Sequence, residues 1–417
     1  MQRLTSWPAQ FSSGLWILAG GQLLVSTSFG LVYPYAIIYF HDVRHLPVEG
    51  LGIGYGLLAG AGFVGRPFAA RILDVVSYKI VYILASATSV LAFLALALFA
   101  TTLPAFWLVL TCWGLAAAGE GPSEHMWLRQ LTDPKSRVQG LSLGRVASNA
   151  GLGLGGLLGG TVLSVAGMRA YPVLMISSAV GSAVYLLVLW QVPARLDDRP
   201  ESRPPEHPAL EERPNWRSVL SDHTYLALVL VNMAAVFCYL QLEISIPYFA
   251  HRSLGAQDYL IGIIFAINTG MVTVLQIPVA RFVERRDRVK VAALGLAVWA
   301  VSLPLFGLAA YLRPSASLTI VLFAVVAYTV AELIHNPAMT TLSMEMVPAT
   351  GQARYFTLMG MSWALVQTVG PALCTALLGS PHPEVLWWLC ALVSLVAAFW
   401  LARLGPSIRA RGERQTC

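Results

Sequence analysis

Residues 79–101 read KIVYILASATSVLAFLALALFAT, a run in which no charged residue follows Lys79. A helix needs about 20 apolar residues to cross the hydrocarbon layer of a membrane, and this run is long enough. The whole chain has the same character, since 57% of its 417 residues are hydrophobic and only 12% are charged. Soluble domains carry about 25% charged residues. The sequence therefore predicts an integral membrane protein.

Apolar runs of this kind occur on both sides of residues 79–101. The predicted spans are 13–40, 49–72, 79–101, 104–126, 140–165, 170–191, 222–250, 257–282, 289–311, 316–341, 354–378 and 383–404. The first is much longer than the apolar part of a signal peptide, so we expect no cleaved leader. Residues 192–221 are rich in proline and charge and are too polar to cross lipid. We predict an N-terminal bundle over 1–191, a cytoplasmic linker over 192–221 and a C-terminal bundle over 222–417.

Basic residues are distributed unevenly between the loops. Of the 27 lysines and arginines, the loops on one side hold only Arg44, Arg169, Arg252 and Arg313. Cytoplasmic loops carry the excess of basic residues. We therefore predict a multi-pass protein of the cell (inner) membrane with both termini in the cytoplasm. The net charge of +6 is then a consequence of topology, and nucleic-acid binding is the weaker interpretation.

Several functional classes lack their motifs. None of the three lysines lies in a G-x-x-x-x-G-K-[ST] loop, which excludes a P-loop ATPase within this chain. The five cysteines include no C-x-x-C pair, so no disulfide framework, zinc site or haem attachment is predicted. Glu120, Glu124 and His125 are close in sequence, but Gly121-Pro122 distorts the helical spacing that a metal site would need. We expect neither a metal nor a cofactor.

Short motifs recur about 210–215 residues apart in corresponding spans. The pairs are Val32-Tyr33-Pro34-Tyr35 with Ser245-Ile246-Pro247-Tyr248, Ala70-Arg71-Ile72-Leu73-Asp74 with Ala280-Arg281-Phe282-Val283-Glu284, Gly60 with Gly270, and Gly155-Gly156 with Gly370-Pro371. Two halves of six spans each share one orientation, and such parallel repeats place a binding site at their interface near the middle of the bilayer.

Proline occurs in the second half of spans 1, 4, 7 and 10. Proline removes a backbone hydrogen bond and bends a helix. The predicted bending positions are Pro34, Pro122, Pro247, Pro337, Gly155, Gly156, Gly370 and Pro371. Prolines are frequent in membrane helices, but their recurrence in every third span favours a bent set of helices that lines a cavity.

With these features the chain resembles the major facilitator superfamily over essentially its whole length. The family signature G-x-x-x-D-R-x-G-R-[RK] follows span 2 in degraded form, with Asp74 at the acid, Val75 at the first arginine and Lys79 in the basic pair. The resemblance implies an all-α membrane protein with twelve transmembrane helices in two pseudo-symmetric six-helix bundles. It also implies a cytoplasmic gating cluster of Arg71, Asp74, Lys79, Arg281, Glu284 and Arg285, although an ordinary basic loop is the alternative.

Three acidic residues lie well inside predicted spans. An ionisable group at the bilayer centre costs about 2.5–3.5 kcal/mol and usually faces a cavity. Glu243 and Glu332 are the deepest, and Glu120 is nearer the end of its span. Such a carboxyl group can carry a proton as water access changes sides, or it can lock two helices as a hydrogen-bonded neutral acid. Gln241 lies beside Glu243, and His335 shares a helix face with Glu332 and could relay protons.

Acidic and aromatic residues dominate the predicted cavity. Tyr33, Tyr35, Tyr239 and Tyr248 are the predicted lining aromatics, which suit cationic or flat ligands. Arg145 can extend to the interface and is discounted. A cavity of negative sign suits protons and cationic or amphiphilic molecules rather than phosphates.

Within the superfamily, the chain resembles proton-driven multidrug exporters of the LmrP and MdtH type. Residues 240–247 resemble their Q-x-acid-x-x-x-P run, and residues 331–337 resemble their G-E-x-x-x-x-P run. This resemblance implies proton coupling and binding of cationic drugs at Glu243 and Glu332. Residues 151–160 approximate the antiporter glycine motif, with Gly156 in place of its proline.

Three hypotheses follow. The first is a secondary active transporter that exports hydrophobic or cationic small molecules in exchange for protons by alternating access. The second is a symporter or facilitator for another solute, such as a sugar, peptide, lipid or siderophore, because a fold does not fix a substrate. The third, a membrane-embedded enzyme or a receptor, is disfavoured because no nucleophile with an orienting base is evident. We expect a small-molecule substrate, protons and the lipid bilayer as partners, and a functional monomer.

Overall fold

The structure is a computed structural model that describes residues 13–124, 137–191, 216–255, 258–347 and 352–416. Within these ranges, twelve helices are long and apolar enough to cross a membrane. This confirms the prediction of an all-α membrane protein with twelve spans. We number the spanning helices α1 to α12 in chain order.

The first six helices follow the predicted spans closely. They are α1 (helix Ser13–Val32, the 3-10 turn Tyr33–Tyr35 and helix Ala36–Asp42), α2 (Val48–Leu73), α3 (Tyr78–Leu98), α4 (Leu103–Glu124), α5 (Arg137–Ala166) and α6 (Tyr171–Gln191). A short 3-10 turn, Met168–Ala170, connects α5 to α6.

The last six helices are longer than predicted at several ends. They are α7 (helix His223–Leu240, the π turn Gln241–Ser245 and helix Ile246–Leu254), α8 (Asp258–Glu284), α9 (Arg288–Ala309), α10 (Pro314–Glu345), α11 (Gln352–Leu378) and α12 (Val385–Thr416). A short helix, Trp216–Leu220, precedes α7. The added ends of α10 and α12 are more polar than the spans, so hydropathy alone did not include them.

The helices divide into two compact units. The first contains α1 to α6 together with residues 258–273 of α8, and the second contains α7, the rest of α8 from Val274, and α9 to α12. In the first unit, α1 packs against α5 and α6, and α3 packs against α4 and α6. In the second unit the same pairs occur with helix numbers raised by six, as the internal repeat predicts.

Glycine brings α1 and α5 into backbone contact in the first unit. A Cβ atom on Gly155 would overlap the carbonyl oxygen of Thr27, and one on Gly159 would lie 2.6 Å from that of Leu31. Helices in lipid associate through close packing, because burial of apolar surface drives them little. The glycines of the predicted antiporter motif therefore serve the packing of α1 on α5.

The predicted bending positions differ in local structure. Pro34 lies within a 3-10 turn, and Pro247 is the second residue after the π turn of α7. In α4 a turn at residues 118–119 precedes Pro122. In contrast, α10 is helical throughout around Pro337, and so are α5 around Gly155 and Gly156 and α11 around Gly370 and Pro371.

Candidate functional site

Glu332 is the centre of the candidate site in the second unit. It lies in α10, is half-buried, and is close enough to the hydroxyl groups of Tyr239 and Tyr328 to interact with them electrostatically. Tyr328 is fully buried one turn before Glu332 on the same helix. Glu332 therefore has aromatic hydroxyl groups beside it and a partly accessible carboxylate.

Tyr239 forms an aromatic wall beside this carboxylate. Its ring packs edge-on against Trp299, with centroids 4.8 Å apart, and lies 6.0 Å from the ring of Trp363. Trp299 is fully buried, whereas Trp363 of α11 is 43% exposed. Aromatic faces attract cations, and the attraction is greater where water is excluded. The neighbourhood of Glu332 thus combines a carboxylate with a cluster of aromatic rings, which suits an organic cation.

Glu243 lies in the π turn of α7. Pro247 cannot donate a hydrogen bond to the carbonyl of Glu243, and its ring would clash with that carbonyl in a regular helix. The wider π turn, Gln241–Ser245, contains Glu243 and relieves this conflict, with only Ile246 between the turn and the proline. Glu243 is exposed, and its charge acts on the Tyr328 hydroxyl. Tyr328 is therefore within electrostatic range of both predicted coupling acids.

Gln241 is fully buried and takes part in packing. Its Nε2 donates a hydrogen bond to the carbonyl oxygen of Phe237 at 2.7 Å and lies 3.5 Å from Sγ of Cys374 in α11. The amide thereby connects α7 with α11. Its neighbour Glu243 points away from this contact into accessible space.

His335 is buried behind the site, with 1% of its surface exposed. Its Nδ1 lies 2.9 Å from the carbonyl oxygen of Ala292 in α9, and its ring centroid lies 5.3 Å from that of Trp299. The helices approach closely here because Gly295 has no side chain: a Cβ atom at this position would lie 2.7 Å from Cβ of His335.

The first unit contains Glu120, half-buried in α4. Its carboxylate accepts a hydrogen bond of 3.1 Å from Oγ of Ser86 in α3. The hydroxyl groups of Tyr82 and Tyr185 lie within electrostatic range of this carboxylate. Glu120 therefore lies among hydroxyl groups from three side chains.

The four predicted lining tyrosines have different environments. Tyr33 is half-buried and stacks on Phe29, with ring centroids 4.4 Å apart. Tyr35 is fully buried, and its hydroxyl donates to the carbonyl oxygen of Gly156 at 2.6 Å, a packing contact between α1 and α5. Tyr248 is also buried, whereas the ring of Tyr239 is half-buried. Tyr33 and Tyr239 are thus the two that remain partly accessible.

A small apolar cavity of about 30 Å³ lies beside Tyr33 within the first unit. Its walls are mostly aromatic and come from α1, α2, α3, α4 and α6; they include Phe29, Tyr33, Phe40, Tyr55, Phe93, Phe106, Trp113 and Tyr171. Its volume is far below the ≈ 150 Å³ of a cavity that holds benzene.

The predicted gating residues lie at helix ends. Arg71, Asp74, Arg281, Glu284 and Arg285 are exposed, and Lys79 donates to the carbonyl oxygen of Trp190 at 3.1 Å. This last contact joins the start of α3 to the end of α6.

Sequence reasoning missed two ion pairs at the equivalent end of the second unit. Arg409 Nη1 lies 2.6 Å from Asp287 Oδ2, and Arg288 Nη1 lies 2.7 Å from Glu345 Oε1. Asp287 also caps α9, since its carboxylate accepts from the backbone N–H of Lys290. The capping role of Asp287 could have been predicted, because an acid just before an apolar run is a recognised capping signal. Its ion pair could not, because Arg409 lies 122 residues away in the sequence.

Within the described ranges, no group of three or more His, Cys, Asp and Glu side chains is placed to hold a metal ion. His125, the third member of the cluster considered from the sequence, lies outside the described residues.

A sequence profile described as Major Facilitator Superfamily matches residues 15–268 and 234–415. The chain belongs to this superfamily. It is therefore a multi-pass membrane transporter of small molecules and not an enzyme. The resemblance to the superfamily that the sequence shows is confirmed.

Solved structures of other superfamily transporters share the fold. The nucleoside transporter NupG has a TM-score of 0.73 at 15% identity, with 94% of this chain and 99% of that chain covered. A POT family transporter bound to a thioalcohol-conjugated peptide has a TM-score of 0.76 at 12% identity, with 95% and 96% covered. The human organic anion transporter MFSD10 (TETRAN) has a TM-score of 0.59 at 17% identity, with 93% and 98% covered. No curated protein sequence matches the chain.

Proposed function

We propose that this superfamily member exports hydrophobic or cationic small molecules in exchange for protons by alternating access. The observation that carries the proposal is the position of Glu332, a half-buried carboxylate in the second half of α10 with Tyr239 and Tyr328 beside it. A charge inside a span is retained mainly where it has a function. Protonation of Glu332 and Glu243 would release a bound cation, and loss of the protons would restore the site.

The surroundings of Glu332 support a cationic substrate. Tyr239 lies within electrostatic range of the Glu332 carboxylate, and its ring lies 6.0 Å from that of Trp363, which is accessible. A phosphate or dicarboxylate would instead need clustered basic side chains. Arg145, the basic residue considered from the sequence, is exposed near the start of α5.

The proposal also includes the membrane in which the protein lies and its orientation there. The excess of basic residues supports an inner-membrane orientation with both termini cytoplasmic. The exposed charges at the ends of α2 and α8 would then face the cytoplasm and form the gating cluster. We propose that residues 1–191 and 222–417 act as the two moving bundles with 192–221 as the linker, and that the monomer is the functional form.

The alternative is a symporter or facilitator for another solute, including a sugar, peptide, lipid or siderophore. The structural neighbours are named as nucleoside, peptide and organic anion transporters, so they favour no single substrate class. The choice of export therefore rests on Glu243 and Glu332 and on the exporter-like runs that contain them.

The test uses inside-out membrane vesicles with an imposed proton gradient, acid inside, and measures uptake of ethidium. We expect uptake that collapses with a protonophore and is lost in Glu332→Gln and in Glu243→Gln. The matched control is Glu384→Gln, the same chemical change at a half-buried acid of the α11–α12 loop, outside the spans, and this variant should transport normally. Uptake that is equal in all three variants would reject the coupling role, and no uptake above a protein-free blank would reject drug export in favour of the alternative.

A further inference from the structure

Among the buried polar atoms of the second unit that have no hydrogen-bond partner in the described residues, three belong to neighbouring side chains. They are Oη of Tyr239, Nε1 of Trp299 and Nε2 of His335. Each is buried, and buried polar groups in folded proteins are nearly always paired with protein or ordered water. Three unpaired atoms in one neighbourhood therefore require an explanation.

The three side chains are neighbours around Trp299. The indole ring lies 4.8 Å from the ring of Tyr239 and 5.3 Å from that of His335, measured between centroids. They come from α7, α9 and α10, so the cluster lies where three helices of the unit meet. Trp299 has no exposed surface, and bulk solvent does not reach it.

Their hydrogen-bonding capacities are complementary. Nδ1 of His335 faces the carbonyl oxygen of Ala292, which can only accept, so Nδ1 carries the hydrogen. In the neutral ring Nε2 is then an acceptor. Trp299 Nε1 can only donate, and the Tyr239 hydroxyl can do either. A molecule that both donates and accepts would satisfy all three.

We propose that Tyr239, Trp299 and His335 bind an internal water molecule in the second unit. The water donates to His335 Nε2, accepts from Trp299 Nε1 and makes its third hydrogen bond with the Tyr239 hydroxyl. Buried waters in proteins make about three hydrogen bonds each. This site goes beyond the proposed transport function and does not depend on the direction of transport.

The water would connect the polar groups near Glu332 with His335 in the interior of the second unit. The Tyr239 hydroxyl, which contacts the water, also lies within electrostatic range of the Glu332 carboxylate. His335 is the inner end of this path as a neutral water ligand, a positioning residue and not a proton carrier. Gly295 holds the arrangement, because only a residue without a side chain lets His335 approach Ala292 so closely.

The first test is nitrogen-15 NMR of the full-length protein in lipid nanodiscs. The His335 signals are assigned among the eight histidines by comparison with His335→Gln. We expect Nδ1 to be protonated and Nε2 to be unprotonated but hydrogen-bonded, with the Nε2 shift changed in Trp299→Phe. An Nε2-protonated ring, or an Nε2 signal unaffected by Trp299→Phe, would overturn the proposal. If Trp299→Phe does not fold, Tyr239→Phe with the same readout decides the question.

The second test is a double-mutant cycle with an internal control. Groups that share one water should couple, so the losses in melting temperature from Tyr239→Phe and Trp299→Phe should be less than additive in the double variant. Trp387 is the control, because it is also fully buried with no partner for Nε1, but packs against Phe249 and Phe306. Tyr239→Phe with Trp387→Phe should be additive. Equal behaviour of the two cycles would contradict a shared water.

Discussion

Tyr328 ties α10 to α7 at the π turn: its hydroxyl lies 3.2 Å from the carbonyl oxygen of Cys238 and 3.2 Å from that of Tyr239. These carbonyls come just before Gln241–Ser245, where the helix changes pitch. The single hydroxyl hydrogen is shared between two buried acceptors, and it fixes the turn that presents Glu243.

We expect Tyr328→Phe to lower the free energy of unfolding by about 1–3 kcal/mol, because it leaves buried carbonyl groups without this donor. Thermal unfolding in detergent measures the loss. Tyr311→Phe is the control, since Tyr311 is 70% exposed and its substitution should change the free energy by less than about 0.5 kcal/mol. Equal melting temperatures for the two variants would show that the hydroxyl contributes nothing to the turn.

The contact between α1 and α5 predicts that glycine-to-alanine substitutions in α5 change the stability in opposite directions at different positions. In Gly155→Ala the new Cβ would overlap the carbonyl oxygen of Thr27, and overpacking of this kind costs about 1–3 kcal/mol. In Gly144→Ala, on the same helix, the Cβ meets nothing within 4 Å, so the better helix former should stabilise by up to about 1 kcal/mol. Opposite shifts in melting temperature are expected, and shifts of the same sign would refute the backbone contact.

Asp287 caps α9 and also forms an ion pair with Arg409. Two substitutions at this position measure the two contributions separately. Asp287→Asn keeps the cap of α9 but loses the charge that faces Arg409, an exposed pair worth about 0.2–1 kcal/mol. Asp287→Ala also loses the cap, which adds about 1 kcal/mol. Melting temperatures at low and high salt distinguish the two terms, because salt screens only the ion pair. A loss in Asp287→Asn that does not diminish with salt would exclude the ion pair as its source.

Glu120 should matter less to transport than Glu332. Glu120→Gln keeps an amide oxygen that can accept the hydrogen bond from Ser86, so we expect its free energy of unfolding to change by less than about 0.5 kcal/mol. The variant cannot carry a proton at this position, and we expect partial loss of ethidium uptake in the vesicle assay. Uptake as high as in Glu384→Gln would remove Glu120 from the coupling mechanism.

The spans and the repeat could be predicted from the sequence because both depend on local or periodic composition. Apolar length identifies each crossing, and motifs such as Ala70–Asp74 and Ala280–Glu284 recur at a fixed distance. The contacts that place Glu332 beside Tyr239 could not be predicted, because they depend on how α7 and α10 rotate about their axes. The sequence shows that Glu332 lies within a span, but it does not show which side chains surround it.

The burial of individual side chains could not be predicted from the sequence either. Tyr33 and Tyr35 are two residues apart in one motif, yet the 3-10 turn leaves Tyr33 half-buried and directs Tyr35 to the carbonyl of Gly156. His335 lies on the same helix as Glu332, but its partner is the Ala292 carbonyl, reached only because Gly295 lacks a side chain. Both outcomes depend on a glycine in another helix, which no pattern within one span reveals.

The π turn of α7 lets Tyr248 keep its orientation although the chain before it carries one extra residue. A π turn accommodates one residue more than the α-helical turn it replaces. Deletion of one residue from 241–245 would therefore restore a continuous α-helix and leave residues 246–254 facing nearly the same way relative to the first part of α7. A one-residue gap at this point in an alignment would therefore mark the presence or absence of the π turn, and the transporters on either side of the gap would still present the same face of the seventh helix.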